Sequence, residues 1–516
     1  MADTDTLKVV KTYKAKVVKC SNYFKVINPD QDIKKLCYTF TKQFVKFNYL
    51  SVNKLGETIQ TVFASATKSR SEFRFHINTW ETWQELLKRN FINDSLIETI
   101  VEPEFDVYTF KCKLRESFKL RDYQQQQYEY LIDPNVPCNR FIGMRPGSGK
   151  GVTAIAALMH YGMRTIIIVR PGYVKKWQAE LIEKAVITKD DVLILQSTKD
   201  LQDMLLLAKH QQLGAIKFIV MGNTIYRTWI KAYEEFGSDS QALGYGVNPD
   251  ELFKVTQSGI RVIDEVHQDF HLNFKADLYT HTRECISLSA TLISKDWMLS
   301  RMQEVAYPLK WRAPEVQFDK YVDICAVHYW LNNRKVSTSL KAGVYSHIAY
   351  EKSIIKQKEL YKNYSAMIME LIETGYIARR KANQKCIVYA ASIKMCDKLV
   401  DDIRKRFKGD KVTRFCEMDD VSKLHSGDIV VTNVIKAGTA HDVAGLITVI
   451  MTNAIDSVQS NIQIFGRLRQ IEGSDTKFYY LTCQNLPKHK VYHRNKMELL
   501  RPRARSFKEY WYPTRL

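Results

Sequence analysis

From about residue 116 the chain alternates short, almost uninterrupted apolar runs with amphipathic helical stretches. The runs are FIGM (141–144), TIIIV (165–169), VLIL (192–195), KFIVM (217–221) and IRVID (260–264). A second set follows: KCIVYA (385–390), DIVVT (428–432), LITVIM (446–451) and KFYYLT (477–482). A strand that is apolar at every position has no face to give to water, so these runs predict parallel sheets covered on both faces by helices. Two such sets in tandem predict two α/β domains.

The first 115 residues read differently. Short β-branched and aromatic runs predict strands at 7–19, 36–50, 57–64 and 71–77. Residues 79–89 (TWETWQELLKR) predict a helix with Trp80, Trp83 and Leu87 on one face, a pattern of core packing. This is a small α+β module. The predicted organisation is therefore a module over 1–115, α/β domains over 116–311 and 312–487, and a tail over 488–516. Within it, 233–258, rich in Gly, Ser and Asp, reads as an insertion or exposed loop. Residues 322–331 read as strand-like, and 349–381 as a long helical stretch.

Composition changes this picture little. The 45% hydrophobic and 26% charged fractions of the 516 residues exclude global disorder and low-complexity character. Ten scattered cysteines form no CxxC pair, which argues against a zinc ribbon and for reduced, mostly buried thiols. No apolar run approaches the roughly 18 residues of a spanning helix, and the acidic, polar start (MADTD) is no signal peptide; the expected location is cytoplasmic, without a membrane partner. Charge is informative. The net +21 points to a polyanionic partner. Residues 1–115 hold 19 Lys+Arg against 13 Asp+Glu, and 488–516 hold 9 against 2. Both ends are basic relative to the middle.

Two segments carry chemistry. Residues 144–151 (MRPGSGKG) follow a predicted strand and precede a predicted helix over 152–161. Glycines there let backbone amides approach phosphate oxygens, and a helix N-terminus adds a favourable field. Arg145, Pro146, Gly147, Ser148, Gly149, Lys150, Gly151 and Val152 are the candidate phosphate cradle, with Lys150 reaching the β/γ-phosphates. The usual pattern follows its lysine with Ser or Thr, whose hydroxyl binds Mg²⁺; here Gly151 stands in that place, leaving water, Thr153 or Ser148 to compensate, or turnover weak. The second segment is VIDEVH (262–267), about 115 residues on at a predicted strand end. Asp264 is the candidate Mg²⁺ ligand, and Glu265 the group that orients or deprotonates an attacking water.

With these two segments in order, the chain resembles superfamily two helicases of the DExH type over roughly 118–475. LRDYQ (120–124) is similar to the adenine-reading segment, with Arg121 and Gln124 as nucleotide contacts. Residues 165–181 (TIIIVRPGYVKKWQAEL) resemble a segment that grips a nucleic-acid backbone, which implicates Arg170 and Lys175; MGNT (221–224) resembles the next such contact, through Asn223 and Thr224. LSAT (288–291) resembles the motif coupling hydrolysis to movement, through Ser289 and Thr291. Residues 385–392 resemble the opening of the second motor domain, and VTNVIKAGTAHD (431–442) the fifth motif. Ser392 and Thr432 are implied contacts there. QIFGRLR (463–469) resembles the sixth motif, so Gln463, Arg467 and Arg469 are implied catalytic groups. Arg469 follows Arg467 after one residue rather than the family's two, so Arg467 matches more closely. The resemblance implies two RecA-like domains with ATP and Mg²⁺ between them, and DNA as partner. Length, the small module ahead of the motor and no large accessory domain after it are similar to compact phage helicases of the UvsW type, which implies remodelling of forked or branched DNA in phage replication and recombination.

The tail 488–516 interleaves nine Lys/Arg with aromatic residues. Arg501, Arg503 and Arg505 are candidate phosphate contacts, while Trp511 and Tyr512 are as well explained by packing. The motor motifs do not separate DNA from RNA, so an RNA-directed or transcription-coupled ATPase stands as a rival. A binding module with a degenerate motor is a second, resting on Gly151 and the shortened arginine spacing. A restriction motor is a third, and no nuclease-type carboxylate–lysine cluster supports it.

Overall fold

The computed structural model describes residues 13–52, 58–290, 292, 294, 296–316, 319–332, 340–341, 344–434 and 443–516. The chain divides into two compact units: 1–144 with 149–316, and 145–148 with 317–516.

Among the described residues the first unit holds three sheets, the smallest being the antiparallel pair Val45–Val52 and Thr58–Val62. Its parallel six-stranded sheet runs Val192–Leu195, Phe218–Gly222, Thr165–Val169, Ile260–Ile263, Glu284–Ser289, Asn139–Gly143. The four interior strands are buried on both faces; Ile219, Ile166, Val262 and Ile286 are fully inaccessible. The apolar runs are therefore strands for the reason given: neither face meets water. This sheet sets the ends of Asn139–Gly143, Glu284–Ser289 and Ile260–Ile263 side by side.

The second, five-stranded sheet belongs to the N-terminal module and is mostly antiparallel, with Ala15–Lys19 and Ile97–Val101 paired in parallel. Expected strands near 58–62 and 72–76 and the helix Trp80–Arg89 are present. Trp83 is fully buried in the module core, and Trp80 is half-buried under Lys19. One expectation fails. Residues 36–42 belong to the helix Gln31–Lys42, and only Val45–Val52 is a strand. Asp30 caps the helix by accepting from Ile33 N, and Ile33, Cys37 and Phe40 recur at helical spacing on its buried face.

The module is not a separate bead. Its core is continuous with that of the parallel sheet, where Phe63 packs edge-on against Phe274. Arg74, 1% exposed, pairs with Glu72 and Asp250 and lies 4.3 Å from the Tyr279 ring centroid. Residues 233–258 are likewise no exposed loop: Tyr245, Val247, Leu252 and Phe253 are buried, with Tyr245 stacked on Trp229.

The second unit is built on a parallel seven-stranded sheet: Val412–Phe415, Ile429–Asn433, Lys385–Ala390, Leu446–Met451, Thr476–Cys483, Val322–Tyr329, Ser506–Trp511. Both units are thus RecA-like α/β domains, the first joined to a small α+β module. The helical stretch expected over 349–381 is two helices, His347–Lys356 and Lys358–Ile372, ending in a π turn. The expected tail is in fact structural. Its helix Pro487–Leu500 packs on the sheet, and Ser506–Trp511 is the outermost strand, paired with Val322–Tyr329. All ten cysteines are free thiols, most of them buried. Among the described residues, no helix is long and apolar enough to cross a membrane.

Candidate active site

The strand Asn139–Gly143 ends in the glycine-rich turn, and the helix Lys150–Tyr161 starts directly after it. Gly147 (φ 73°) and Gly149 (φ 87°) take the left-handed conformation that glycine allows at little cost. A side chain at Gly149 would overlap the amide of Gln124. Ser148 Oγ donates to Arg145 O at 2.6 Å and so closes the turn. Pro146 and Val152 are half-buried. The helix is held by its buried Ala154, Ile155, Ala157 and Leu158, which fixes its N-terminus at the sheet edge.

Lys150 is the first helical residue and is buried. Its amine lies 3.3 Å from Glu265 Oε1 and donates to Met144 O at 3.3 Å. Glu265 takes φ 50°, a left-handed conformation uncommon outside glycine, which turns the chain sharply after Ile260–Ile263. Its Oε2 is buried with no hydrogen-bond partner. His267 Nδ1 is 3.2 Å away but shares its closest contact, 2.6 Å, with Ser289 Oγ. Burial and Lys150 push the His267 imidazole down to about 4, so it is neutral at pH 7. Ser289, at the end of the neighbouring strand, thereby joins the acidic segment to the LSAT segment; Thr291 lies outside the described residues.

Asp264 accepts from Glu265 N at 2.8 Å and from Trp177 Nε1 at 2.9 Å. Burial, and then the adjacent Glu265, push its carboxyl up from the usual carboxylate range. Two acids this close favour a bound cation, which relieves both effects.

Sequence reasoning missed Trp177 and Glu180. Both lie on the helix Val174–Lys184, three residues apart and so on one face. A Cβ on Gly151 would sit 2.7 Å from Glu180 Oε2. A carboxylate therefore fills the space beside Gly151, where the usual hydroxyl would begin. Burial pushes this carboxyl up, and Asp264 adds to the effect while Lys176, 3.6 Å away, opposes it. The signal was the amphipathic face Val174, Trp177, Leu181, whose register carries Glu180; its nearness to residue 151 comes only from packing.

Gln124 is buried in the first turn of Asp122–Ile132, where its Oε1 accepts from Arg121 N at 2.9 Å, while Arg121 is exposed. Arg170 is engaged by a bidentate pair with Asp269 at 2.6 and 3.0 Å. Lys175 and Thr224 are exposed, whereas Asn223 is buried.

In the second unit, Ser392 and Thr432 are not open contacts. Ser392 Oγ donates to Glu351 Oε2 at 2.7 Å and caps the helix Ile393–Arg406; Thr432, fully buried, donates to Phe415 O at 2.5 Å. Hydroxyls at strand ends here satisfy local backbone and carboxylate groups. Gln463 and Arg467 flank the end of the helix Val458–Phe465, Arg467 buried, and Arg469 donates to Gly466 O. His441 and Asp442 lie outside the described residues. Arg505 departs most from expectation: it pairs with Asp323 and Asp475, so two carboxylates offset its charge. Arg503 donates to Leu499 O, and Arg501 is exposed.

No family model matches the chain. A curated relative, the helicase/translocase XPB subunit of the TFIIH basal transcription factor complex from Trypanosoma brucei brucei, is 26% identical over 214 residues. The match covers 41% of this chain and 21% of that protein, so it spans about one fifth of the relative's length. The crystal structure of T4 UvsW aligns over 96% of this chain and 99% of its own, with 12% identity and a TM-score of 0.33.

Proposed function

We propose that the chain is an ATP-dependent nucleic-acid helicase or translocase, with DNA, forked or branched, as its substrate in phage replication and recombination. The observation that carries this reading is the cluster at the end of the parallel sheet: Lys150, Glu265 and Asp264 within one network, at a helix N-terminus preceded by two left-handed glycines. Likeness to a relative named a helicase/translocase supports the nucleic-acid part.

The residues fit Mg²⁺ and ATP. The glycines leave backbone N–H groups open to phosphate, and the helix field favours anions. The unpartnered Glu265 Oε2 and the raised Asp264 carboxyl both await a positive or proton-donating group. When bound, Mg²⁺ supplies charge neutralisation at the phosphates, and Asp264 would hold it, with Glu180 in place of the missing hydroxyl. Lys150 contributes positive charge to the phosphate site and, until then, is neutralised by Glu265. Glu265 orients and takes a proton from the attacking water; His267, 3.2 Å away and neutral, does not compete for the proton. Ser289 links this acid to the segment expected to couple hydrolysis to movement. Arg467 and Arg469 are the cationic side chains proposed to offset transition-state charge, and Gln463 a neutral hydrogen-bonding group beside them in sequence.

The test is ATP turnover by purified protein with and without DNA, against Lys150→Ala. Stimulation by DNA that the variant lacks supports the reading; turnover equal to the variant's refutes it. The relative's place in a transcription complex favours one second reading, an RNA-directed or transcription-coupled ATPase. Parallel stimulation by RNA and DNA separates the two.

A further inference from the structure

Three side chains from three elements of the second unit converge away from the motor motifs. His328 lies on the strand Val322–Tyr329, His493 on the helix Pro487–Leu500 and Glu509 on the outermost strand Ser506–Trp511. Their ligand atoms all lie within 4.8 Å of one another, the one such group of three found among the described residues. His328 Nε2 is 2.8 Å from Glu509 Oε2, and His493 Nε2 is 3.8 Å from the same oxygen.

The far nitrogens are held. His328 Nδ1 lies 2.6 Å from Gln484 Nε2; with that side-chain amide turned over, Nδ1–H donates to its oxygen and leaves Nε2 as the ligand atom, and His493 Nδ1 lies 2.9 Å from Tyr480 OH. The His328 ring also stacks on Trp511, 4.5 Å between centroids at 24°. Each imidazole is thus fixed in rotation by a partner on one nitrogen and presents the other to a shared point. Metal-ligating histidines are oriented in this way.

A plain hydrogen bond explains less. It needs only His328 and Glu509, and leaves unexplained a second Nε2 facing the same oxygen beyond hydrogen-bond range. Donors around a tetrahedral ion with bonds of about 2.0–2.1 Å stand roughly 3.3 Å apart. The separations of 2.8 and 3.8 Å bracket that value.

We propose that His328, His493 and Glu509 bind one divalent transition-metal ion of the zinc class through two Nε2 atoms and one carboxylate oxygen. Two imidazoles with one carboxylate suit Zn²⁺ and exclude Mg²⁺ and Ca²⁺, which take oxygen ligands. Water takes the fourth position on the side of Glu509, whose side chain is 42% exposed. The ion clips the final helix and the outermost strand to Val322–Tyr329, adding to the strand ladder and the Arg505–Asp323 pair. The site is independent of nucleotide chemistry, since its residues share nothing with the Asp264 cluster.

The experiment uses the full-length untagged chain, stripped by chelator and titrated with Zn²⁺ against a chromophoric competitor, with Mg²⁺ as comparison and Co²⁺ as spectroscopic probe. The expected result is one Zn²⁺ per chain, a raised melting temperature and the strong visible bands of tetrahedral Co²⁺. Glu509→Gln, at an exposed position and still able to hydrogen-bond His328, weakens Zn²⁺ binding tenfold or more, with the metal-free melting temperature unchanged. His493→Ala does the same, and Tyr480→Phe weakens binding about tenfold. Absence of stoichiometric Zn²⁺ uptake overturns the proposal. So does equal affinity in Glu509→Gln and His493→Ala, which would put the ion on other groups such as the thiols.

Discussion

Gly151→Ser restores the residue that the phosphate-binding pattern ordinarily carries, yet the structure predicts that it harms this protein. A serine in the first turn of Lys150–Tyr161 gains roughly 0.5 kcal/mol of helix propensity over glycine. Against that, its Cβ meets Glu180 Oε2 at 2.7 Å, closer than real Cβ contacts allow. Glu180 must swing away from Asp264 and Gly151, which the far end of a flexible, half-buried side chain does at little cost in stability but which takes the carboxylate out of the site. The expected net change in the first unit's stability is therefore small, within about 0.5 kcal/mol, and the harm falls on function, with lower ATP turnover and a higher Mg²⁺ requirement. In a Glu180→Ala background the clash is gone, so the same serine is neutral or slightly stabilising and its hydroxyl is available to the metal. Residues in contact couple by about 0.5–3 kcal/mol in a double-mutant cycle, and here the coupling is expected in the Mg²⁺ requirement. Thermal melts and Mg²⁺ titrations of ATPase activity on wild type, both single variants and the double variant measure it. Equal effects of Gly151→Ser with and without Glu180 would show that Glu180 does not stand in for the missing hydroxyl.

Further outcomes follow from other sites. Glu265→Gln keeps nucleotide binding, measured with a fluorescent ATP analogue, but lowers turnover by about 10²–10⁴-fold. Asp250→Asn leaves Arg74 buried and underpaired, costing about 3–5 kcal/mol in melts. Burial opposes ionisation of Asp250, but Arg74 and Lys25 outweigh it and hold the carboxyl well below the usual range. That contribution is present above the ordinary carboxylate pKa and is lost as pH falls through the depressed value. Lys496 is buried beside Met451 and Tyr480, and burial lowers its amine to about 7. Its charged form costs stability below that pH, so stability rises between pH 7 and the ordinary lysine value. Lys496→Met raises the second unit's melting temperature at pH 7 and removes this slope; an unchanged slope would refute the assignment.

The parallel sheets were legible because strands buried on both faces cannot hide their composition. The glycine-rich turn and the acidic strand end were legible because both are continuous in sequence. The helix Gln31–Lys42 was misread because its aromatic residues favour strands locally, whereas the Asp30 cap and the Ile33, Cys37, Phe40 face decide the outcome. Ser392 caps the helix Ile393–Arg406 and Thr432 lies in the strand Ile429–Asn433, and their hydroxyls are spent on Glu351 and Phe415 O. Glu180 was invisible, because only helix packing brings it to Gly151. The terminal basic segment illustrates the same limit for charge: Arg505 looked free in sequence and is paired with two aspartates in space.

The central claim is a nucleic-acid-driven ATPase built on Lys150, Asp264 and Glu265. The most direct measurement is steady-state ATP hydrolysis by the purified chain, with single-stranded, duplex, forked and four-way DNA and with RNA, beside Lys150→Ala. The account predicts turnover that rises on adding DNA, most with forked or four-way substrates, and that the variant lacks. Turnover no higher than that of Lys150→Ala under every condition would contradict it.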